Sequence, residues 1–326
     1  MSLKEISKKA NVSIATVSRV LNSPDLVSEK TREKVLKIAE ELKYKRLKPL
    51  AVLAKKENTI GVVIPDVLNN FYARILEGLV KKAKEYNLTV NLFLTHDSIN
   101  EELKAINKII DSNAKGMILI RTAQKYQDSL KTTLNLEKSN IPYVLIHRDL
   151  YKRNSSGIFL SNANAVYDAI NLLISKSYKN IAFITGPKGN INAEERLNGY
   201  KEGLHNNNLK VNDELIVHCH FDVKHSYENT LNILDKKPDA IFCCSNQLTV
   251  GALKAIREKG LRPGKDILVF SFIKLEESNV DSQNISYIKH PIDFMGEKAV
   301  TILNNKLVGT TGLIREILDY ELVLNE

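Results

Sequence analysis

Two runs, 11-NVSIATVSRVLN-22 and 27-VSEKTREKVLKIAEELKY-44, decide how the chain begins to fold. Ahead of the first run, Ser2 and Glu5 stand three apart before an apolar stripe of Leu3, Ile6 and Ala10. That is the capping-box start of a helix. Asn11 breaks the stripe, and Ser13 is a good N-cap for a second helix over 14–22. A third helix starts after Ser28, with Val35, Leu36, Ala39 and Leu42 on one face at helical spacing. Two short helices joined by a tight turn and braced by a third make a helix-turn-helix. In that arrangement the second helix enters the DNA major groove with its N-terminal residues against base edges. Val12, Val17 and Val20 belong to the core of this head rather than to its surface.

The charge agrees. Residues 1–58 hold 14 Lys/Arg against 7 Asp/Glu, whereas the other 268 residues hold 33 against 31. Of the net +9, therefore, +7 sits on the first sixth of the chain, as in a nucleic-acid-binding head. The length of 326 residues suggests two or three domains at roughly 100–200 residues each. An apolar share of 43% supports a sizeable core and is too high for a disordered chain. Three cysteines, two of them the adjacent Cys243 and Cys244, make no disulfide framework and point to a reducing, cytoplasmic compartment. No apolar run reaches the ~18 residues of a membrane span, and MSLKEISKKA has no signal-peptide h-region.

From residue 59 the pattern becomes strand, helix, strand, helix. Apolar runs occur at 60-IGVVI-64, 88-LTVNLFL-94, 116-GMILI-120, 143-YVLI-146, 181-IAFIT-185, 240-AIFCC-244 and 267-ILVFSF-272. Amphipathic segments separate them, such as 73-ARILEGLVKKAKEY-86. The alternation predicts parallel sheets covered by helices on both sides. At 268 residues the core is long for one such sheet, so two lobes are expected.

The runs at 11–22 and 27–44 closely resemble the DNA-binding head of the lactose-repressor (LacI/GalR) family, whose pattern V-S-x-x-T-V-S-R-V-L-N they follow without a gap. The core resembles the same family, and the periplasmic sugar-binding proteins related to it. The matching pieces include TIGVVIPDVLNNFYARILEGL at 59–79, ERLNGYKEGL at 195–204 and AIFCCSNQLTVGALKAIREKGLRPGKDILVFSF at 240–272. The resemblance implies an α/β protein: a helix-turn-helix head at 1–45, a hinge or linker at 46–58, and a periplasmic-binding-protein-like core at 59–326. The core's two doubly wound parallel-sheet lobes would be residues 59–157 with 289–317, and 158–288 with 318–326, joined by crossings near 157, 288 and 318. It also implies an effector in the cleft and a homodimer on a pseudo-palindromic double-stranded DNA operator. Tetramers of the family carry an added C-terminal helix, which ELVLNE does not supply.

Site residues carry over one by one. Ile14 and Ala15 occupy the variable base-choosing positions, and Thr16 and Arg19 the more constant ones. Arg19 can hold guanine O6 and N7 bidentately, whereas Ile14 and Ala15 offer apolar contact to a thymine methyl. Ser13, Ser18 and Asn22 suit phosphates, which fix register. In the linker, Leu53 or Val52 would wedge a minor-groove step; a plain tether is the alternative reading. In the core, Phe71 or Tyr72, beside Asn69, would stack on the effector, and Arg196 would hold it. The family's usual cleft acids are replaced in Leu160-Ser161-Asn162, Ser245-Asn246, Ile146-His147-Arg148 and Ser271-Phe272-Ile273-Lys274. With Arg121, Arg148, Arg196 and Lys274 near the strand ends, a neutral-to-positive cleft is expected, suited to an anionic effector such as a phosphorylated sugar. Control by a partner protein, or by no ligand, is the competing reading; a cytoplasmic solute-binding protein is a more distant one.

No cofactor or metal is expected. The loop 186-GPKGN-190 lacks the G-K-[ST] ending of a phosphate cradle, and 218-HCH-220 with His225 fits an exposed strand better than a metal site. No nucleophile–base pair is placed by any motif, so the chain does not read as an enzyme.

Overall fold

The computed structural model describes residues 3–22, 27–42, 58–122, 126–150, 155–275 and 284–325. The chain divides into two compact units, Met1–Lys55 and Lys56–Glu326.

The head is three helices, α1 (Leu3–Ala10), α2 (Ile14–Asn22) and α3 (Glu29–Glu41). Asn11 takes a left-handed backbone (φ 50), which ends α1 as Asn and Gly can. The Ser13 hydroxyl then accepts the Thr16 N–H at 3.0 Å, capping α2. Ile6, Ala10, Val17, Val20, Val35 and Ala39 form the core, with Val12, Ile38 and Leu42 against it. Leu36, expected on the inner face, is exposed, and Ile38 packs instead. The i, i+4, i+7 line of Val35, Ala39 and Leu42 sets the phase of α3 and turns Leu36 outward.

The second unit holds two six-stranded sheets. In the first, β1 (Thr59–Ile64), β2 (Thr89–Leu94), β3 (Gly116–Leu119), β4 (Tyr143–Ile146), β5 (Gly157–Leu160) and β11 (Arg315–Leu318) run parallel in the order β11-β5-β4-β3-β1-β2. The helices α4 (Asn70–Glu85), α5 (Ile99–Asp111), α6 (Tyr126–Ser139) and α11 (Ile292–Leu307) cover its faces. Helices α4 and α11 approach so closely that a Cβ on Gly296 would overlap the Ile75 carbonyl.

The second sheet contains β6 (Ile181–Thr185), β7 (Ile216–His218), β8 (Ala240–Cys243), β9 (Leu268–Ser271), β10 (Ser286–Lys289) and β12 (Glu321–Val323), ordered β12-β10-β9-β8-β6-β7. Its helices are α7 (Asn162–Ser175), α8 (Ile191–Asn206), α9 (Val223–Leu234) and α10 (Asn246–Glu258). The sheet is not wholly parallel: β12, which enters from β11 of the first sheet across residues 319–320, is antiparallel to β10 at the edge.

The crossings fall later than expected. Gly157–Leu160 pairs with Arg315–Leu318 and with β4, so residues 158–160 belong to the first lobe and the chain leaves it at Ser161. Likewise Leu318 stays in the first sheet and Lys289 in the second, placing the other crossings near 290 and 319. Buried strands such as Thr59–Ile64 and Ala240–Cys243 are covered on both faces, which explains their unbroken apolar runs.

Candidate functional site

In an open parallel sheet, ligands bind beyond the carboxyl ends of strands, and here the ends of both sheets face one cleft. A cavity of about 320 Å³ opens there.

From the first lobe, the turn after β1 presents three of its residues. The Asp66 carboxylate accepts the Leu68 and Asn69 N–H groups at 2.8 and 2.7 Å, fixing the turn. Asn69 then caps α4 through the Phe71 N–H at 3.1 Å, which aims Phe71 and Tyr72 into the cleft. At the end of β4, His147 takes a left-handed backbone (φ 67), which histidine adopts more readily than most non-glycine residues. Its ring meets Phe71 edge-on at 4.8 Å, and burial holds its pKa well below the usual range, so it is neutral. Arg148 donates to the Tyr72 hydroxyl at 3.0 Å, to Asp97 at 2.9 Å and to the Arg121 carbonyl at 2.6 Å. Burial raises the Tyr72 pKa against the pull of Arg148, keeping the phenol protonated.

From the second lobe comes Arg196 on α8, 3% exposed. Its Nε donates to Asn162 Oδ1 at 2.9 Å and its Nη1 to the Cys244 carbonyl at 2.5 Å, while the guanidinium lies 3.6 Å over the Phe272 ring. The buried Nη2 has no hydrogen-bond partner among the described residues. Burial lowers the Arg196 pKa to about 10, so it stays cationic at neutral pH. Two amides bridge the cleft: Asn246 Nδ2 donates to Asn69 Oδ1 at 2.9 Å, and Asn192 Nδ2 to the His147 carbonyl at 3.2 Å.

Of the residues expected at the effector, Asn69, Phe71, Tyr72, His147, Arg148, Arg196 and Asn246 line this cavity. Lys274 lines an adjoining one. Ser161 lies instead in a third cavity on the hinge side, beside Asp149 and Arg315, because β5 runs to Leu160 before the chain crosses. Arg121 points away from the cleft: it is 2% exposed, donates to Ser129 Oγ and the Asp149 carbonyl, and sits 3.7 Å from the buried Glu102. Sequence reasoning missed Asp66, Asp97, Asn190, Asn192, Phe221, Asp222 and Gln247, all of which line the cavity. Three carboxylates against two guanidiniums correct the expectation of a neutral-to-positive cleft. The histidines 218 and 220 do not share a strand face: β7 ends at His218, whose Nδ1 meets the Gly186 carbonyl, while His220 packs on His225.

In the head, α2 exposes Ile14, Ala15 and Arg19, with Ser13 exposed at its start and Thr16 and Ser18 half-buried. Asn22 ends the helix, and its side chain, like the linker with Leu53, lies outside the described residues.

Residues 57–317 match the family described as periplasmic binding proteins and sugar binding domain of the LacI family. Residues 2–46 match bacterial regulatory proteins of the lacI family. The HTH-type transcriptional regulator RegA of Clostridium acetobutylicum is 32% identical, over 99% of this chain and 97% of its own. The catabolite control protein A of Priestia megaterium is 29% identical, over 93% and 91% respectively. Among solved structures, the transcriptional regulator CelR in complex with cellobiose superposes with a TM-score of 0.73 at 25% identity, covering 100% of this chain and 99% of that one.

Proposed function

The chain belongs to the LacI family of bacterial regulatory proteins, and from that premise we propose a transcriptional repressor whose hold on double-stranded DNA is set by a small polyhydroxyl effector in the cleft. Arg196 carries the effector half of this reading. A buried cationic donor left without an acceptor is costly, by roughly 1–3 kcal/mol or more, and a ligand oxygen against Nη2 relieves it. The volume of about 320 Å³ is of ligand size. Phe71 and Phe221 offer apolar faces to a sugar ring, while Asn190, Asn192 and Gln247 offer amides to hydroxyls. With Asp66, Asp97 and Asp222 set against Arg148 and Arg196, a neutral sugar suits this cavity better than an anion. The cellobiose held by CelR, a protein of the same fold, supports a sugar.

The DNA half rests on the exposed face of α2. Ile14, Ala15 and Arg19 are free to meet base edges, and Ser13 and Ser18 the phosphates. A second copy of the chain would pair the heads on a pseudo-palindromic operator. An exposed apolar strip on α4 and the edge strand β2, with Val80 46% and Leu92 41% exposed, suits such a dimer contact. Effector and operator are then linked through the spacing of the heads, and coupling of about 1–3 kcal/mol gives a 5–150-fold change in affinity.

Selection from a random pool of duplex DNA by the purified protein, with and without neutral sugars, tests the proposal. An enriched two-fold-symmetric sequence whose retention changes with one sugar supports it. Retention without sequence preference overturns the DNA half. An enriched operator that no sugar alters overturns the effector half in favour of control by a partner protein or none.

A further inference from the structure

Past the Asn69–Asn246 bridge the cleft continues into a second cavity, also of about 320 Å³. It shares Leu68, Phe71, Asn246, Gln247 and Ile273 with the first, but among the described residues its charge is opposite. Among the described residues, Arg74, Lys254 and Lys274 line it and no carboxylate does. Asp293 holds Arg74 bidentately at 2.8 and 2.6 Å, whereas the exposed Lys254 and Lys274 meet no carboxylate among the described residues. Among the described residues Lys274 meets only the Tyr287 ring, 5.9 Å from its centroid.

The backbone adds to the same sign. Three long helices, α4, α10 and α11, begin at Asn70, Asn246 and Ile292, and all three first residues line this cavity. Each N-terminus carries about half a positive charge. Asn69 and Ser245 cap α4 and α10 with their side chains, but Pro291 gives α11 no side-chain cap. Ammonium groups, helix N-termini and room for several atoms are the elements of an anion site.

We propose that this second cavity binds an anionic group, phosphoryl or carboxylate. The group has one of two sources: the acidic end of a ligand whose polyhydroxyl end fills the first cavity, or a free small anion bound beside a neutral sugar. The first source rests on the cleft being an effector site; the second does not. The sequence reading of an anionic effector thus moves to the neighbouring cavity, where Lys274 lies.

Thermal unfolding of the full chain in phosphate and in chloride, at equal ionic strength, tests the site. Wild type is compared with K254Q/K274Q and with K254R/K274R. The basic head's own affinity for phosphate is common to all three and cancels. The expected result is a saturable phosphate response in wild type and in the arginine variant, about tenfold weaker or absent in the glutamine variant. Equal responses in wild type and K254Q/K274Q overturn the proposal.

Calorimetry with neutral sugars and their 6-phosphates separates the sources. A gain in affinity that needs the covalent phosphate and disappears in K254Q/K274Q identifies the ligand's own acid. The same gain from a neutral sugar plus free phosphate identifies a separate anion. Binding of no sugar in either form, with the lysine-dependent phosphate response intact, would remove the cleft effector and leave the anion site standing.

Discussion

His290 lies at the second crossing between the lobes, 6% exposed, with its ring between Phe272 at 4.9 Å and Tyr320 at 6.2 Å. Burial, reinforced by the nearby charge of Arg196, pushes its pKa down to about 3. In the unfolded chain the same imidazole titrates near 6.5. The folded state therefore binds fewer protons, and this contribution to stability is full above pH ~6.5 and lost as the pH falls toward about 3. At about pH 5 the unfolded chain gains RT ln(1 + 10^1.5), or about 2 kcal/mol, and the ceiling below pH 3 is roughly 5 kcal/mol. Urea unfolding of wild type and H290Q at about pH 7.5 and about pH 5 reads the difference. Wild type should lose about 2 kcal/mol more than H290Q over that interval. His147 is depressed in the same direction mainly by burial, with His290 the smallest of its causes, so it contributes nearly equally to both proteins. Equal losses would refute the reasoning, because they would mean that His290 titrates alike in folded and unfolded chains.

Two further outcomes follow from named contacts. Arg19→Ala removes an exposed guanidinium from the outer face of α2, and gel shifts should show specific affinity falling by about 1–3 kcal/mol with non-specific binding nearly unchanged; an equal loss on all sequences would place Arg19 on phosphate. Glu102 is fully buried, accepts the Thr122 N–H at 2.6 Å and the Thr132 hydroxyl at 2.7 Å, and faces Arg121. Glu102→Gln removes the strongest counter-charge of that buried guanidinium, so denaturant unfolding should show a loss of about 3–5 kcal/mol; a change within about 0.5 kcal/mol would mean that Asp149 suffices to neutralise Arg121.

What the sequence disclosed depended on whether a local rule governed the position. The head is short-range: Ser13, Asn11 and the valines at 12, 17 and 20 settle its helices through caps, a left-handed turn and a 3.6-residue period. Central strands such as β1, β3 and β8 were visible because burial on both faces makes the apolar runs continuous; β2, largely exposed at the sheet edge, was visible through its β-branched and apolar residues alone. The third helix of the head shows the limit, since Leu36 and Ile38 are both apolar and only packing decides which turns inward. The boundary at 157–161 was illegible for a different reason: β5 is kept in the first lobe by β11, which lies more than 150 residues further along the chain.

The cleft was half legible, and the missing half is the acidic one. Each carboxylate there looks from the sequence like a turn or cap residue, and structurally each is one as well. Asp66 fixes a turn, Asp222 caps α9 by accepting the His225 N–H at 2.8 Å, and Asp97 sits in a left-handed loop against Arg148. Such residues reach a ligand site only because strands from distant parts of the chain end at the same edge. The arginines divide in the same way. Arg121 and Arg148 both follow strand ends, yet Arg121 faces Glu102 under the sheet while Arg148 faces Tyr72 in the cleft. The left-handed turn at His147, absent among the described residues that follow β3, marks the strand end from which Arg148 enters the cleft. Cation count along the sequence therefore overstates the positive charge of the first cavity. It understates that of the second, where the backbone of three helix ends contributes what no side-chain tally records.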